Sequence, residues 1–157
     1  MCEYCGCQAV PAVELLTSEH DAVVNLIGAV QRALSSGNLD GAAEGTRSIA
    51  DVLGPHTRVE EDALFPAMAG DFPDHVEALR AEHTMVEGVL AESADGTPAD
   101  PGWPDRLAGA LHTLRDHILK EQDGLFPAAL ASLGPADWEA VDEVRGQVGT
   151  ALARLIR

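Results

Sequence analysis

The sequence predicts an all-α fold, an up-down-up-down four-helix bundle with an additional C-terminal helix, and three observations carry that prediction. Apolar residues recur at steps of three and four along most of the chain, the period of a helix that buries one face. Hydrophobic residues make up 46% of the 157 residues but aromatics only 4%, so the core is built from Ala, Val, Leu and Ile at close range. Finally, residues around His20 and His56 recur around His83 and His117 at offsets of 63 and 61, the mark of a duplicated helix pair.

The first helix follows Pro11, with Val13, Leu16, His20, Val23, Ile27, Val30 and Leu34 on its inner stripe, and Ser35, Ser36 and Gly37 end it. Asn38 is a suitable N-cap for the second, which runs to about Met68. Its stripe is Ile49, Val52, His56, Val59, Glu60, Ala63 and Ala67, and Gly54-Pro55 predicts a kink just before His56. Pro73 opens the third, which runs to about Ala94 with Val76, Leu79, His83, Val86 and Leu90 inward. Ser93 to Pro104 is turn chemistry throughout and reads as the longest loop. From about Pro104 to Ser132 the fourth helix places Leu107, Leu111, Leu114, His117, Glu121, Leu125 and Ala128 inward. The fifth starts at Pro135 and carries Trp138, Val141, Val144, Val148, Leu152 and Leu155 as a cover for the bundle. Short connections make antiparallel neighbours, hence the up-down order.

Charge narrows the function. Ten Lys plus Arg stand against 26 Asp plus Glu, a net −16, which argues against nucleic-acid binding and anionic membrane surfaces, since both draw on clustered cations. No apolar run approaches the ~20 residues of a membrane span. The first residues lack the basic-then-apolar profile of a signal peptide, so a cytoplasmic location is expected. Three cysteines, Cys2, Cys5 and Cys7, lie in the first seven residues. An odd, clustered set fits a soft metal ion or redox chemistry better than a disulfide framework, the alternative being a terminus with no chemical role. Tyr4, the only tyrosine, is a candidate to fold over the bundle site.

Of six histidines, four occupy core positions on four different helices, and two of these have a glutamate one turn later on the same stripe. Residues i and i+4 are neighbours along a helix face, so His56 with Glu60, and His117 with Glu121, can aim a nitrogen and a carboxylate at one point. One such pair would be unremarkable in a chain with 13 glutamates, and a lone inward histidine is usually a satisfied core residue. The conjunction is different. Two carboxylates in a core without inward cations would cost several kcal/mol per ion, roughly, so a metal is expected to supply the compensating charge. Imidazole and carboxylate without thiolate suit Fe, Mn or Zn, and six side chains exceed what one tetrahedral zinc uses. The expected arrangement is two ions, each taking two histidines, with Glu60 and Glu121 bridging and open positions left for an exogenous ligand.

These residues, His20, His56-x-x-x-Glu60, His83 and His117-x-x-x-Glu121 with both Leu-Phe-Pro signatures, resemble the hemerythrin-like, or HHE cation-binding, domain proteins over roughly Glu14 to Leu130. The resemblance implies a four-helix bundle holding two Fe ions with a bridging oxo or hydroxo group, which binds or reacts with O2, hydrogen peroxide or nitric oxide. Where the oxygen-carrying members have a further histidine one turn after the third-helix ligand, this chain has Glu87. That difference disfavours reversible oxygen carriage and favours peroxide-related, nitric-oxide-related or iron-sensing roles; as an enzyme it would be a peroxide- or nitric-oxide-directed oxidoreductase. Glu87 itself is either an extra ligand or part of a solvated helix face. An iron or redox sensor, an iron store, and a structural zinc bundle are the alternatives. The Cys-x-Tyr-Cys-Gly-Cys leader is similar to the start of some bacterial members. The expected organisation is a Cys-rich leader over 1–11, the bundle over 12–133 and an accessory helix over 134–157. Glu61 and Glu82 point about 100° away from their ligand neighbours and read as supporting or surface groups. His75 and His112 read as surface residues, Met68 and Met85 as core packing or a shield for the site, and Phe65 and Phe126 as solvent-excluding plugs beside the kinking Pro66 and Pro127.

Overall fold

A computed structural model describes residues 8–152, and every regular element among them is helical. The sequence places them as follows: α1 (Ala9–Ser35), α2 (Leu39–Val59), a π turn (Glu60–Leu64), α3 (Phe65–Met68), α4 (Pro73–Ala91), α5 (Trp103–Lys120), a second π turn (Glu121–Leu125), α6 (Phe126–Ser132) and α7 (Pro135–Val148). Asn38 caps α2 as expected, its side chain accepting from Gly41 N at 3.0 Å. Pro73 and Pro135 occupy first-turn positions of α4 and α7, where a missing N–H costs nothing.

Helix α1 packs along α2, and α4 along α5; α2 also meets α4, α1 meets α5, and α7 lies against α1, α2 and the first π turn. Gly45 permits the close approach of α1 and α2, because a Cβ there would stand 2.7 Å from Val30 Cγ2. No helix among the described residues is long and apolar enough to cross a membrane.

Pro55 does not break α2, which runs unbroken to Val59. The hydrogen-bond pattern changes after Val59, and again after Lys120 in the second half. Pro66 and Pro127 have no N–H for the carbonyl four residues back, and their rings crowd it. The helix widens one turn earlier, so that Phe65 N–H bonds Glu60 O and Phe126 N–H bonds Glu121 O, five residues back. That extra residue shifts the buried stripe by one position. Met68 and Ala129 are buried where Ala67 and Ala128 were expected, and those two are only partly covered.

Other corrections are local. Trp103 belongs to α5 rather than to the preceding loop, because its indole is fully buried in the apolar cluster with Leu107 and Leu111. Met68 is core, but Met85 is 43% exposed and shields nothing. Helix α7 stops at Val148, where Gly149 takes φ +70°, a conformation that favours glycine. Leu155, Cys2, Tyr4, Cys5 and Cys7 lie outside the described residues.

The core is two apolar clusters with a polar layer between them. One gathers Val23, Ile27, Val52, Val86, Trp103 and Leu111; the other gathers Leu16, Leu64, Phe65, Leu79, Phe126 and Trp138. On α1 the change of cluster falls between Leu16 and Val23, and on α4 between Leu79 and Val86, which is where His20 and His83 stand.

Candidate metal centre

All six bundle residues singled out by the sequence are buried and meet in that layer. Four donor atoms from His20, His56, Glu60 and Glu121 lie within 4.8 Å of one another, and so do four from Glu60, His83, His117 and Glu121. The two sets share both glutamates. Glu60 Oε1 is 3.1 Å from His56 Nε2 and 3.4 Å from His83 Nε2, while Glu121 Oε1 is 3.1 Å from His20 Nε2 and 3.2 Å from His117 Nε2. Each carboxylate therefore spans one histidine of either set.

The other ring nitrogen of every histidine is tied down. His20 Nδ1 donates to Gln122 Oε1 at 3.0 Å, His56 Nδ1 to Glu19 at 3.0 Å, His83 Nδ1 to Glu61 at 3.1 Å and His117 Nδ1 to Glu82 at 3.1 Å. A proton held on Nδ1 leaves the Nε2 lone pair facing the centre, the orientation a metal ligand requires. The pattern is two-fold: Glu19 and Glu82 precede His20 and His83 and serve His56 and His117, whereas Glu61 and Gln122 follow Glu60 and Glu121 and serve His83 and His20. Phe126 stacks on His20 (centroids 5.4 Å apart) and Phe65 on His83 (5.3 Å), so the Leu-Phe-Pro segments do plug the site.

Sequence reasoning missed Glu19 and Gln122 and assigned Glu61 and Glu82 only loosely. Glu19 is the instructive one. It is fully buried, accepts from Arg145 at 2.7 and 2.9 Å and from Thr150 Oγ1 at 2.8 Å, and holds His56. Arg145 is thus an inward cation from α7 that the sequence reading did not foresee, but its charge is matched to Glu19 and not to the two shared glutamates. The available signal was the Glu-His dipeptide at both Glu19-His20 and Glu82-His83, repeated at the same offset as the ligands.

A test of fit for metal lies in the orphaned atoms. His56 Nε2, His117 Nε2 and both oxygens of Glu60 and Glu121 make no hydrogen bond although buried and close to one another. Leaving a buried polar atom unmade costs roughly 1–3 kcal/mol each, more for charged groups, so six in one place need a shared partner they all point toward. Neutral nitrogen and carboxylate oxygen, without sulfur, form a donor set for a divalent or trivalent cation. Without metal, protons serve instead. Burial works to lower His56, but the Glu60 charge and the Glu19 bond outweigh it and raise its pKa to about 9. Burial, followed by the His56 charge, drops His20 to about 3. The His56 charge overcomes burial to hold Glu60 well below the usual carboxylate range, and burial with the Glu60 charge pushes Glu121 well above it. Metal binding must displace these protons.

Glu87 is exposed and stands outside both donor sets, at the edge of a cavity of about 10 Å³ that reaches the histidines. His75 and His112 are on the surface.

Neither a curated protein nor a solved structure matches the chain. A family model does, the hemerythrin HHE cation-binding domain, over residues 12–129. With six buried donors grouped for cation binding inside that stretch, the chain belongs to the hemerythrin HHE cation-binding domain family.

Proposed function

We propose that the chain is a di-iron protein that binds or reacts with a small oxidant, O2, hydrogen peroxide or nitric oxide. The observation that supports it is the pair of four-donor sets sharing Glu60 and Glu121, in which His56 Nε2, His117 Nε2 and all four carboxylate oxygens make no hydrogen bond. His20 and His56 would hold one ion, His83 and His117 the other, and Glu60 and Glu121 would bridge them. In this reading residues 12–133 are an up-down-up-down four-helix bundle, 134–157 an accessory segment that seals it, and 1–11 a cysteine-rich leader. Its ligand is a diatomic or a peroxide rather than nucleic acid or membrane, and its place is the cytoplasm, in keeping with the charge of −16 and the three clustered cysteines.

Iron, when bound, supplies one-electron chemistry and open coordination positions. The chain's own residues do the rest. Glu19, Glu61, Glu82 and Gln122 fix the four imidazoles by their Nδ1 protons, and Phe65 and Phe126 exclude water from the His83 and His20 faces. Manganese fits the same donors. A structural zinc site takes four ligands around one ion, and six buried donor residues grouped in two overlapping sets favour the dinuclear reading over that one.

Metal analysis of the purified chain is expected to find about two irons, with a near-ultraviolet absorption band that changes on adding peroxide or nitric oxide. Zinc alone, or iron with no spectral response to either, would refute the reading. Peroxide consumption by the loaded protein separates an oxidoreductase from a sensor or store, which would respond without turnover.

A further inference from the structure

The cavity at the metal layer has a wall and a mouth of different character. Leu53, Val86, Leu114 and Ile118 form apolar sides, and the histidines and Glu60 form the floor. Every lining residue is buried except Glu82 and Glu87, so these two carboxylates are the part of the lining that reaches solvent. Glu82 is committed: it accepts from Lys120 Nζ at 2.8 Å and from His117 Nδ1 at 3.1 Å, and its charge is matched there. Glu87 has no ion-pair partner among the described residues. Arg80, one turn to the other side of His83, donates to Glu61 O at 3.1 Å and lies over the Phe65 ring. The charges that act on the Glu87 carboxylate are those of Glu61 and His83.

The geometry points to Glu87 as the residue that decides which small molecules reach the metals: its carboxylate turns anions away, and the apolar walls admit uncharged ligands such as hydrogen peroxide, nitric oxide and dioxygen. A charge at the rim of a low-dielectric site acts on association rate, because field lines concentrate where water is excluded. The chain's net −16 works in the same direction at longer range. Glu87 would then be neither a ligand nor an idle surface group. It sets specificity by sign of charge.

This inference rests on the di-iron reading, and the test separates the two. Iron-loaded wild type and Glu87→Gln are mixed rapidly with azide, an anion, or with nitric oxide, which is neutral, and the spectral change is followed in time. Glu87→Gln is expected to speed azide association about tenfold at low salt and to weaken its salt dependence, while nitric oxide association stays within about twofold. Glu87→Lys is expected to speed azide further. Equal acceleration of both ligands would make Glu87 a steric plug, and no acceleration would leave it without a role; either overturns the assignment. Loss of iron from Glu87→Gln would make it a ligand and overturn it also. If wild type responds to neither ligand, the di-iron reading itself falls and takes this inference with it.

Discussion

The two halves of the metal layer carry the same histidine arrangement in opposite surroundings. In the His20–His56 half the supporting carboxylate, Glu19, is fully buried and clamped by Arg145 and Thr150 from the C-terminal segment, and His20 leans on the neutral amide of Gln122. In the His83–His117 half, Glu82 is 19% exposed and held by Lys120 at the surface, His83 leans on the carboxylate of Glu61, and the cavity mouth lies alongside. Ring geometry is nearly identical, with paired histidine centroids 4.6 and 4.5 Å apart, each pair tilted by 48°. Duplication supplies the ligand frame, and helix α7 makes the halves unequal by closing one and leaving the other to face solvent.

The largest way to break this comparison is to remove a group both halves share. Glu60→Ala or Glu121→Ala is expected to abolish binding of both ions, leaving well under one iron per chain by elemental analysis, because each carboxylate serves a histidine of either set. Loss of a single ion would instead show that the halves load independently.

The next effect follows from protonation of the metal-free chain. His56 is raised from 6.5 to about 9, so its contribution to stability is whole below pH 6.5 and fades as pH rises toward 9. His20 is lowered from 6.5 to about 3, so it costs stability as pH falls below 6.5, where only the unfolded chain takes up its proton. Metal-free protein is therefore expected to be most stable near pH 6.5 and to lose on the order of a few kcal/mol toward pH 9. The iron-loaded protein should not follow it, since metal affinity rises as imidazoles lose protons, and metal should be lost as pH falls through their titration range. Thermal unfolding of both forms from pH 5 to 9 tests this; parallel curves would contradict it.

Glu19→Gln against Glu82→Gln measures the seal directly. The first leaves Arg145 facing a buried amide and is expected to cost about 2–3 kcal/mol, the second below about 1 kcal/mol, by denaturant unfolding of the metal-free chain. Both should weaken metal about 10–100-fold through the histidine they orient. Gln122→Glu gives His20 the carboxylate partner that His83 already has, and is expected to narrow any difference between the two ions in a Mössbauer spectrum of iron-loaded protein. His112→Ala, on an exposed face, should change stability by less than about 0.5 kcal/mol and leave the iron in place.

The ligand set was legible because helix period and duplication act together: one inward histidine means little, but four with two glutamates at matching offsets define a common point. The groups behind the ligands were harder to read. Glu19 lies a full 100° from the inner stripe and is buried only because α7 arrives over it, a tertiary event with no local periodic signature. The stripe beyond Glu60 and Glu121 was misplaced by one residue, since a proline signals a disturbed helix without saying whether the chain will bend or widen. Trp103 read as loop for the same kind of reason: Pro and Gly around it outweigh, on paper, an indole that the core claims.

The widened turns at Glu60–Leu64 and Glu121–Leu125 act as a phase shifter. In a regular helix the nine residues from His56 to Phe65 amount to about two and a half revolutions, which would carry the phenyl ring to the back of the rod. Winding more slowly for one turn brings it round to lie on the imidazole of a neighbouring helix. A single continuous rod thereby presents chelator and stopper from one side, and shortening either widened turn by one residue would uncork the metals without touching a single donor.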